Sequence, residues 1–584
     1  MCGIIGAISE NSVEQVFNGL RRLEYRGYDS YGIAIRTGKS IKVIKEVGKI
    51  GSATPPKITS DIALGHTRWA THGKVTKENA HPHISNDGKI AVVHNGIVEN
   101  YQELRKSLSA KGFKFLSETD SEIIPNLIQI HIKEGNNFSD SVMKALGEIE
   151  GSYAIVAINS ESDEMVGARN GSPLVVGIGE SSKYLASDVP AFLEHTNNVV
   201  YLDDYEMAVL GKEEMKFFDL NNGTEIEKKA VKVELSIDQA EKGNYEHFMM
   251  KEVEEQKFTV KRAIEQSPEL IENVAAKMNA AFGVFFVGCG TSYHSCVSAS
   301  YVFAKVAKKH VNVVIASEFR NYENFLTDKT LVVAVSQSGE TADLLDAVKF
   351  AKKHKCGVIS IVNVVGSSLT RLSDETVYMN AGPEICVLST KSYTSQLAIL
   401  LLLAYSAAGK NGGGKKLVAD AAEKIPVLIE SNIAPLKELA QKLKSAKDFF
   451  IIGRDLAYPT AMEAALKIKE VSYIHAEAFP GGELKHGTIA LIEDNVPTLV
   501  ISTPETRQLI LGNAMEIKSR GGYIIGVDSK PNELFDFFIE VPDCGNANPI
   551  CMIIPVQILA YYLATAKGLD PDKPRNLAKS VTVK

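Results

Sequence analysis

The second half of this chain carries one βα pattern twice, and that duplication limits the possible folds more than any other feature. From about Met250, short β-branched runs alternate with helical stretches, as in βα units around a parallel sheet. Phe285-Phe286-Val287-Gly288-Cys289-Gly290 corresponds to Phe449-Phe450-Ile451-Ile452-Gly453-Arg454. The run 331–335, followed by Ser336-Gln337-Ser338-Gly339-Glu340-Thr341, corresponds to 498–501, followed by Ser502-Thr503-Pro504-Glu505-Thr506. Gly288 precedes Ser336 by 48 positions, and Gly453 precedes Ser502 by 49. Two copies of one doubly wound parallel-sheet fold are expected, at 250–430 and 431–573.

The copies differ in chemistry. Small hydroxyl residues and glycine at a helix start leave free N–H groups and the helix dipole facing an anion. The loop Ser336, Gln337, Ser338, Gly339, Glu340, Thr341 has that composition, as does Gly288, Cys289, Gly290, Thr291, Ser292. One such loop could be an ordinary helix cap; two in one copy predict a phosphate cradle. In the second copy Pro504 and Glu505 replace the small residues, so one phosphate per chain is expected. That copy offers acids and bases instead. Glu463, Lys467 and Glu470 fall at i, i+4 and i+7 on one helix face. Alone they would read as a surface ion-pair row. His486 lies in a glycine-bounded loop.

The first half is strand-rich, with β-branched runs at 41–47, 62–64, 90–93, 153–157, 174–178 and 199–202. Helical stretches are expected near 13–23, 100–111 and 121–134, with Thr119 or Asp120 as N-cap of the last. Many strands and few helices predict two packed sheets with helices outside. Hydrophobic residues make up 45% and charged residues 23%, and 64 basic residues against 71 acidic ones leave a net charge of −7. That balance gives no nucleic-acid or membrane surface. Seven scattered cysteines without C-x-x-C make neither a disulfide framework nor a zinc site. The apolar runs 397–405 and 550–564 are too short or too interrupted, by Pro555 and Gln557, to span a bilayer, and buried helices are expected. No signal peptide precedes Cys2, so a cytoplasmic location is expected.

Cys2 follows the initiator Met1. Removal of Met1 would place a thiol nucleophile and an α-amine of pKa ~7.7–8.0 on one residue. Four polar clusters accompany it: 21–30, Gly65-His66-Thr67-Arg68-Trp69-Ala70-Thr71-His72-Gly73, His94-Asn95-Gly96, and Ser117-Glu118-Thr119-Asp120-Ser121. Together they supply what an amide hydrolase needs. Cys2 attacks a carboxamide, and the Gly96 N–H and Asn95 amide can form an oxyanion hole worth roughly 3–4 kcal/mol per donor. Arg68 can pair bidentately with an α-carboxylate and Asp120 can hold an α-ammonium. Those groups describe free glutamine.

These motifs resemble the N-terminal-nucleophile (class II) glutamine amidotransferases, most of all the glutaminase domain of the glutamine–fructose-6-phosphate aminotransferases. The repeated half resembles that family's tandem sugar-isomerase (SIS) domains. The resemblance implies a mixed α/β and α+β fold: an αββα sandwich at 1–237, a linker at 238–249, the two SIS subdomains, and a catalytic tail at 574–584. It implies Cys2 as nucleophile and base, Asn95 and Gly96 as oxyanion hole, Arg68, Thr71, His72 and Asp120 as glutamine ligands, and Trp69 as an ammonia gate. It implies Ser292, Ser336, Gln337, Ser338 and Thr341 as ligands of the phosphate of fructose 6-phosphate. Glu470, His486, Lys579 and Lys467 become the isomerase groups, with Lys579 forming an imine. A homodimer, no metal, no organic cofactor, and a place at the first step of hexosamine biosynthesis are implied as well. Two departures are Tyr31, where many members have a small residue, and Thr488, where proline is usual.

Overall fold

The computed structural model describes residues 2–51, 53–70, 73–233 and 242–582. The chain divides into two compact units, one of Met1–Glu241 with Ala578–Lys584, the other of Lys242–Leu577.

In the first unit, two antiparallel sheets stack. One runs in the order 231–232, 198–201, 175–178, 183–186, 3–8, 62–68, 30–37, 40–47; the other runs 225–226, 215–219, 206–210, 165–170, 151–159, 90–98, 83–84. Ile4, Leu64 and Val176 of one sheet share a buried core with Val93, Val156 and Ala208 of the other. Helix Ser12–Arg22 covers the outer face of the first sheet. A Cβ on Gly65 would fall 2.7 Å from Leu20 of that helix, so glycine permits the contact. Helices Tyr101–Ala110, Ile123–Lys133 and Phe138–Gly147 cover the second sheet through Leu108, Ile124, Leu127 and Val142. The layers are therefore α, β, β, α, as expected. Strand Gly3–Ile8 is covered on both faces and is buried throughout, which explains its continuous apolar run. Edge strand Ser40–Val47 alternates with lysines and stays half-exposed. The Tyr31 ring packs edge-on against Phe17, with centroids 6.4 Å apart.

The second unit contains two five-stranded parallel sheets of identical topology. The first runs 312–315, 283–288, 330–336, 357–362, 375–378; the second runs 475–480, 448–453, 497–501, 523–528, 537–540. Each thus has the order 2-1-3-4-5, with the switch point between its first and third strands, where doubly wound folds bind ligands. Between the sheets lie helices Lys391–Ala407 and Asn548–Ala566, buried nearly all round. The stretch Gly545–Ala566 is long and apolar enough to cross a membrane, but 83% of its most apolar window is buried inside the unit. The subdomain boundary expected at 430–431 falls inside one helix, Asn411–Leu443. Residues 238–241 of the expected linker lie outside the described residues; Phe248–Ala263 then forms a helix whose first N–H groups, Phe248 and Met249, donate to Asp572 at 2.8 and 2.7 Å.

Candidate functional site

Cys2 opens the buried strand Gly3–Ile8, so its position is fixed by sheet pairing on both sides. Its Sγ accepts the Trp69 N–H at 3.3 Å. Its carbonyl accepts Asn95 Nδ2 at 3.0 Å and Arg26 Nε at 3.4 Å, and Arg26 is held by Asp188 at 2.9 Å. Burial pushes the Cys2 thiol up, against the pull of the Trp69 N–H and the Arg68 guanidinium. A thiol shifted this way needs a base to react near neutral pH.

The Asn95 amide is held from behind by His66. His66 Nε2 lies 3.0 Å from Asn95 Oδ1 and 3.2 Å from the His94 carbonyl. Both partners accept, so Nε2 carries the hydrogen. Burial above all, with Arg68 and His94 adding repulsion, lowers His66 to about 3. A neutral imidazole therefore fixes the amide with its NH2 group toward Cys2. Gly96 has φ +136°, and a Cβ there would meet the Ser152 carbonyl at 2.0 Å, so no other residue fits. The role of His66 is not evident from its motif. Strand parity was the available signal, since His66 shares a face with Ile62 and Leu64, the face toward the second sheet.

Arg68 is buried and donates to the Lys74 and Gly73 carbonyls at 3.2 and 3.3 Å. It lies within electrostatic reach of Cys2, Asp29 and Asp120. The carboxylate of Asp29 accepts the Ala70 N–H at 2.8 Å, steadying the segment that presents Trp69. Asp120 departs from its expected capping role. Helix Ile123–Lys133 begins after Glu122 with no side-chain cap, and Asp120 Oδ2 accepts the Val98 N–H at 2.7 Å. Thr119 does not cap either; its hydroxyl bonds His83 Nε2 at 2.9 Å. Thr71 and His72 lie outside the described residues.

In the second unit, both loops of the first SIS copy stand at the switch point. Gly290, with φ +53°, leads directly into helix Thr291–Val302. Thr341 precedes helix Ala342–Lys353 without a side-chain cap, leaving first-turn N–H groups open to an anion. The loop between is preorganised: Ser336 Oγ accepts the Gly339 N–H at 3.0 Å and Ser338 Oγ the Glu340 N–H at 3.2 Å. Gly339 has φ +66°, and a Cβ there would fall 2.2 Å from Ser367 Oγ. That buried hydroxyl has no hydrogen-bond partner among the described residues. Ser292 Oγ accepts Gln396 Nε2 at 3.0 Å. Cys289 is half-buried, and burial together with Asp343 pushes its thiol up to about 11. Gln337 is half-buried beside Ser336.

In the row, Glu463 and Lys467 are fully buried and Glu470 is half-buried, so the alternative of a surface ion-pair row is excluded. Helix Ala457–Ser472 carries it; Lys467 Nζ lies 3.3 Å from Glu463 and 2.9 Å from Glu470. Burial works against the Lys467 ammonium, yet the two carboxylates outweigh it and raise its pKa. Glu463 also accepts from the Thr291 hydroxyl at 3.0 Å and lies 2.8 Å from His294 Nδ1, and Lys467 donates to Thr291 Oγ1 at 3.2 Å. Thr291, expected as a phosphate ligand, thus has its hydroxyl engaged by the acid–base row of the other copy. His486 is exposed at the end of a short 3-10 turn, Glu483–His486. Arg575 stacks on Tyr473, 4.2 Å from its centroid, and donates its N–H to the Tyr473 hydroxyl at 2.7 Å. That contact anchors the start of the tail at the end of helix Ala457–Ser472. Lys579 belongs to the segment grouped with the first unit and is half-buried.

Fold and sites together define a glutamine amidotransferase domain joined to tandem SIS domains. A model of the glutamine amidotransferase domain matches residues 66–194, and one of the SIS domain matches 278–406 and 442–567. The chain is 44% identical over 601 residues to the glutamine–fructose-6-phosphate aminotransferase (isomerizing) of Thermococcus kodakarensis, and 44% over 597 residues to that of Pyrococcus horikoshii, with both chains covered in full. Among solved structures, the C-terminal domain of glucosamine-fructose-6-phosphate aminotransferase from Francisella tularensis matches with TM-score 0.52 and 34% identity, covering 57% of this chain and all of that one. The chain belongs to the glutamine–fructose-6-phosphate aminotransferase (isomerizing) family.

Proposed function

We propose that the chain transfers the amide nitrogen of glutamine to fructose 6-phosphate and isomerises the product to glucosamine 6-phosphate, as the first step of hexosamine formation in the cytoplasm. The observation that carries this reading is the hydrogen bond between Thr291, in the first copy's phosphate loop, and Glu463, in the second copy's buried acid–base row. It ties the phosphate cradle to the groups that would move protons on the same sugar.

In the first unit, loss of Met1 frees the α-amine of Cys2, which takes the thiol proton. The thiolate attacks the glutamine carboxamide, ammonia leaves, and water releases glutamate from the thioester. Asn95 Nδ2 and the Gly96 N–H stabilise the oxyanion, with His66 holding the amide in place. Arg68, Thr71, His72 and Asp120 hold the amino-acid end, and Trp69 gates the ammonia. At the sugar site, Ser292, Ser336, Gln337, Ser338 and Thr341 hold the phosphate. Lys579 forms an imine with the C2 ketone, releasing water; ammonia replaces Lys579, and Glu470 carries a proton from C1 to C2. His486 of the neighbouring subunit assists ring opening, so a homodimer forms the complete site.

Glutamate and glucosamine 6-phosphate, assayed together after mixing protein, glutamine and fructose 6-phosphate, should form in equal amounts. Cys2→Ala should lose glutamine-dependent synthesis while still binding fructose 6-phosphate. Lys579→Arg should keep glutamine hydrolysis and lose synthesis, because a guanidinium forms no imine. Glutamate formation without the amino sugar in the wild type would refute the transferase reading.

A further inference from the structure

Two cysteines that belong to neither site lie with their sulfurs in contact. Cys544 Sγ is 3.3 Å from Cys551 Sγ. Cys544 sits in the turn after strand Phe537–Glu540, and Cys551 in the first turn of helix Asn548–Ala566. Asn548 locks the turn: its Oδ1 accepts the Cys544 N–H at 2.6 Å, and its Nδ2 donates to Asp543 at 3.0 Å. From helix Asn411–Leu443, Lys424 Nζ reaches Cys544 Sγ at 3.4 Å and the Asp543 carbonyl at 3.0 Å. Neither cysteine is used by the proposed reaction.

The two thiols are not equivalent. The hydrogen bond from Cys551 and the Lys424 ammonium, against the cost of burial, draw Cys544 down to about 7. Cys551 is pushed up, with its proton shared toward Cys544 and its sulfur near the Ala421 carbonyl at 3.6 Å. Cys544 is itself buried, but its neighbours Asp543 and Gly545 are exposed, so a small oxidant needs to pass only the turn. A thiolate beside a cation, with a second thiol in contact, is the arrangement of a nucleophilic and a resolving cysteine.

We propose that Cys544 and Cys551 form a peroxide-sensitive modification site. The Cys544 thiolate attacks one oxygen of a hydroperoxide, the O–O bond breaks, and sulfenic acid forms with release of hydroxide or alkoxide. The Cys551 thiol then displaces that oxygen as water and closes an intramolecular disulfide. Two thiols are oxidised and one peroxide is reduced. The disulfide removes the anion beside Lys424 and ties the turn to helix Asn548–Ala566, which packs against the helix bearing Glu463, Lys467 and Glu470.

Both cysteines lie between Arg520 and Lys567, with only Lys530, followed by Pro531, between those sites, so trypsin leaves them on one peptide. The test treats full-length protein with hydrogen peroxide, blocks free thiols with iodoacetamide under denaturing conditions, and weighs that peptide. Loss of both alkylation sites, with a mass lower by two hydrogens and full recovery on reduction with dithiothreitol, is expected. Cys551→Ser should instead trap Cys544 as a dimedone adduct, and Cys544→Ser should give neither product. Complete alkylation of both cysteines after excess peroxide, or over-oxidation of Cys544 in the wild type without a disulfide, would overturn the proposal. The wild-type measurement stands even if a variant fails to fold.

Discussion

The two SIS copies share strand order and even backbone detail, yet fill the corresponding loops with different chemistry. Gly288 and Gly453 each end the first strand, and at both a Cβ would strike the following helix, at 2.9 and 2.4 Å. Two residues on, Gly290 and Asp455 both have φ +53°. In the first copy these loops leave helix N–H groups open. In the second, Asp455 and Glu505 occupy the corresponding loops, and Lys305 from the first copy bridges them, lying 2.5 Å from Glu505. Two carboxylates and Pro504 thus stand where the first copy has small residues, and they offer a phosphate no open cradle. After duplication, the fold is kept by the glycine that packs strand on helix, while function is divided by what fills the loops.

Placing the second copy's residue in the first should break the comparison most severely. Gly339→Glu puts a carboxylate beside the phosphate at a left-handed position against Ser367. At ~4 Å and an effective dielectric near 20 the repulsion is about 4 kcal/mol, several hundred-fold in affinity. Calorimetry should show fructose 6-phosphate binding lost while glutamine hydrolysis persists; retained binding would mean that this loop is not the cradle. Next in size, Lys467→Met leaves buried Glu463 and half-buried Glu470 without their cation. Urea unfolding should show the second unit destabilised by roughly 3–5 kcal/mol, and a change under ~1 kcal/mol would mean the row is not charged.

The first unit sharpens the contrast, because it buries neutral imidazoles where the second buries charges. An unfolded histidine protonates below ~6.5, whereas His66 stays neutral down to about 3. Between those values the unfolded state binds the extra proton, so stability falls as pH falls. The loss for His66 approaches ~1.4 kcal/mol per pH unit. Burial with neighbouring positive charge depresses His81 and His83 likewise, and burial depresses His94 against the pull of Asp120. Unfolding midpoints measured from neutral to ~pH 5 should drop for the first unit; a flat profile would contradict neutral burial. The smallest effect belongs to Glu505→Ala. Its side chain is 68% exposed, so stability should change by less than ~1 kcal/mol, with no phosphate binding gained in the second copy while Asp455 and Pro504 remain.

Much of this division was legible in the sequence because it rests on local chemistry. Parallel strands covered on both faces read as continuous apolar runs, and Pro504 and Glu505 announce a loop hostile to phosphate. Contacts between distant segments were not legible. Lys305 meets Asp455 and Glu505 across 150 and 200 positions. Asp120 looked like a helix cap because a carboxylate before a helix cannot be told, from sequence, from one that bonds a strand N–H 22 residues away. The expected subdomain boundary at 430–431 is a related case: it lies within helix Asn411–Leu443, which runs on through Pro426 and Pro435. Without the family resemblance the acid–base row reads as surface charge, because its partners Thr291 and His294 come from the other copy.

The central claim is that the sugar phosphate is held by the first copy alone. Calorimetric titration of full-length protein with fructose 6-phosphate, in the absence of glutamine, tests it directly. One site per chain, abolished by Gly339→Glu and unaffected by Glu505→Ala, is the result predicted; two sites per chain, or one site that survives Gly339→Glu, would contradict it.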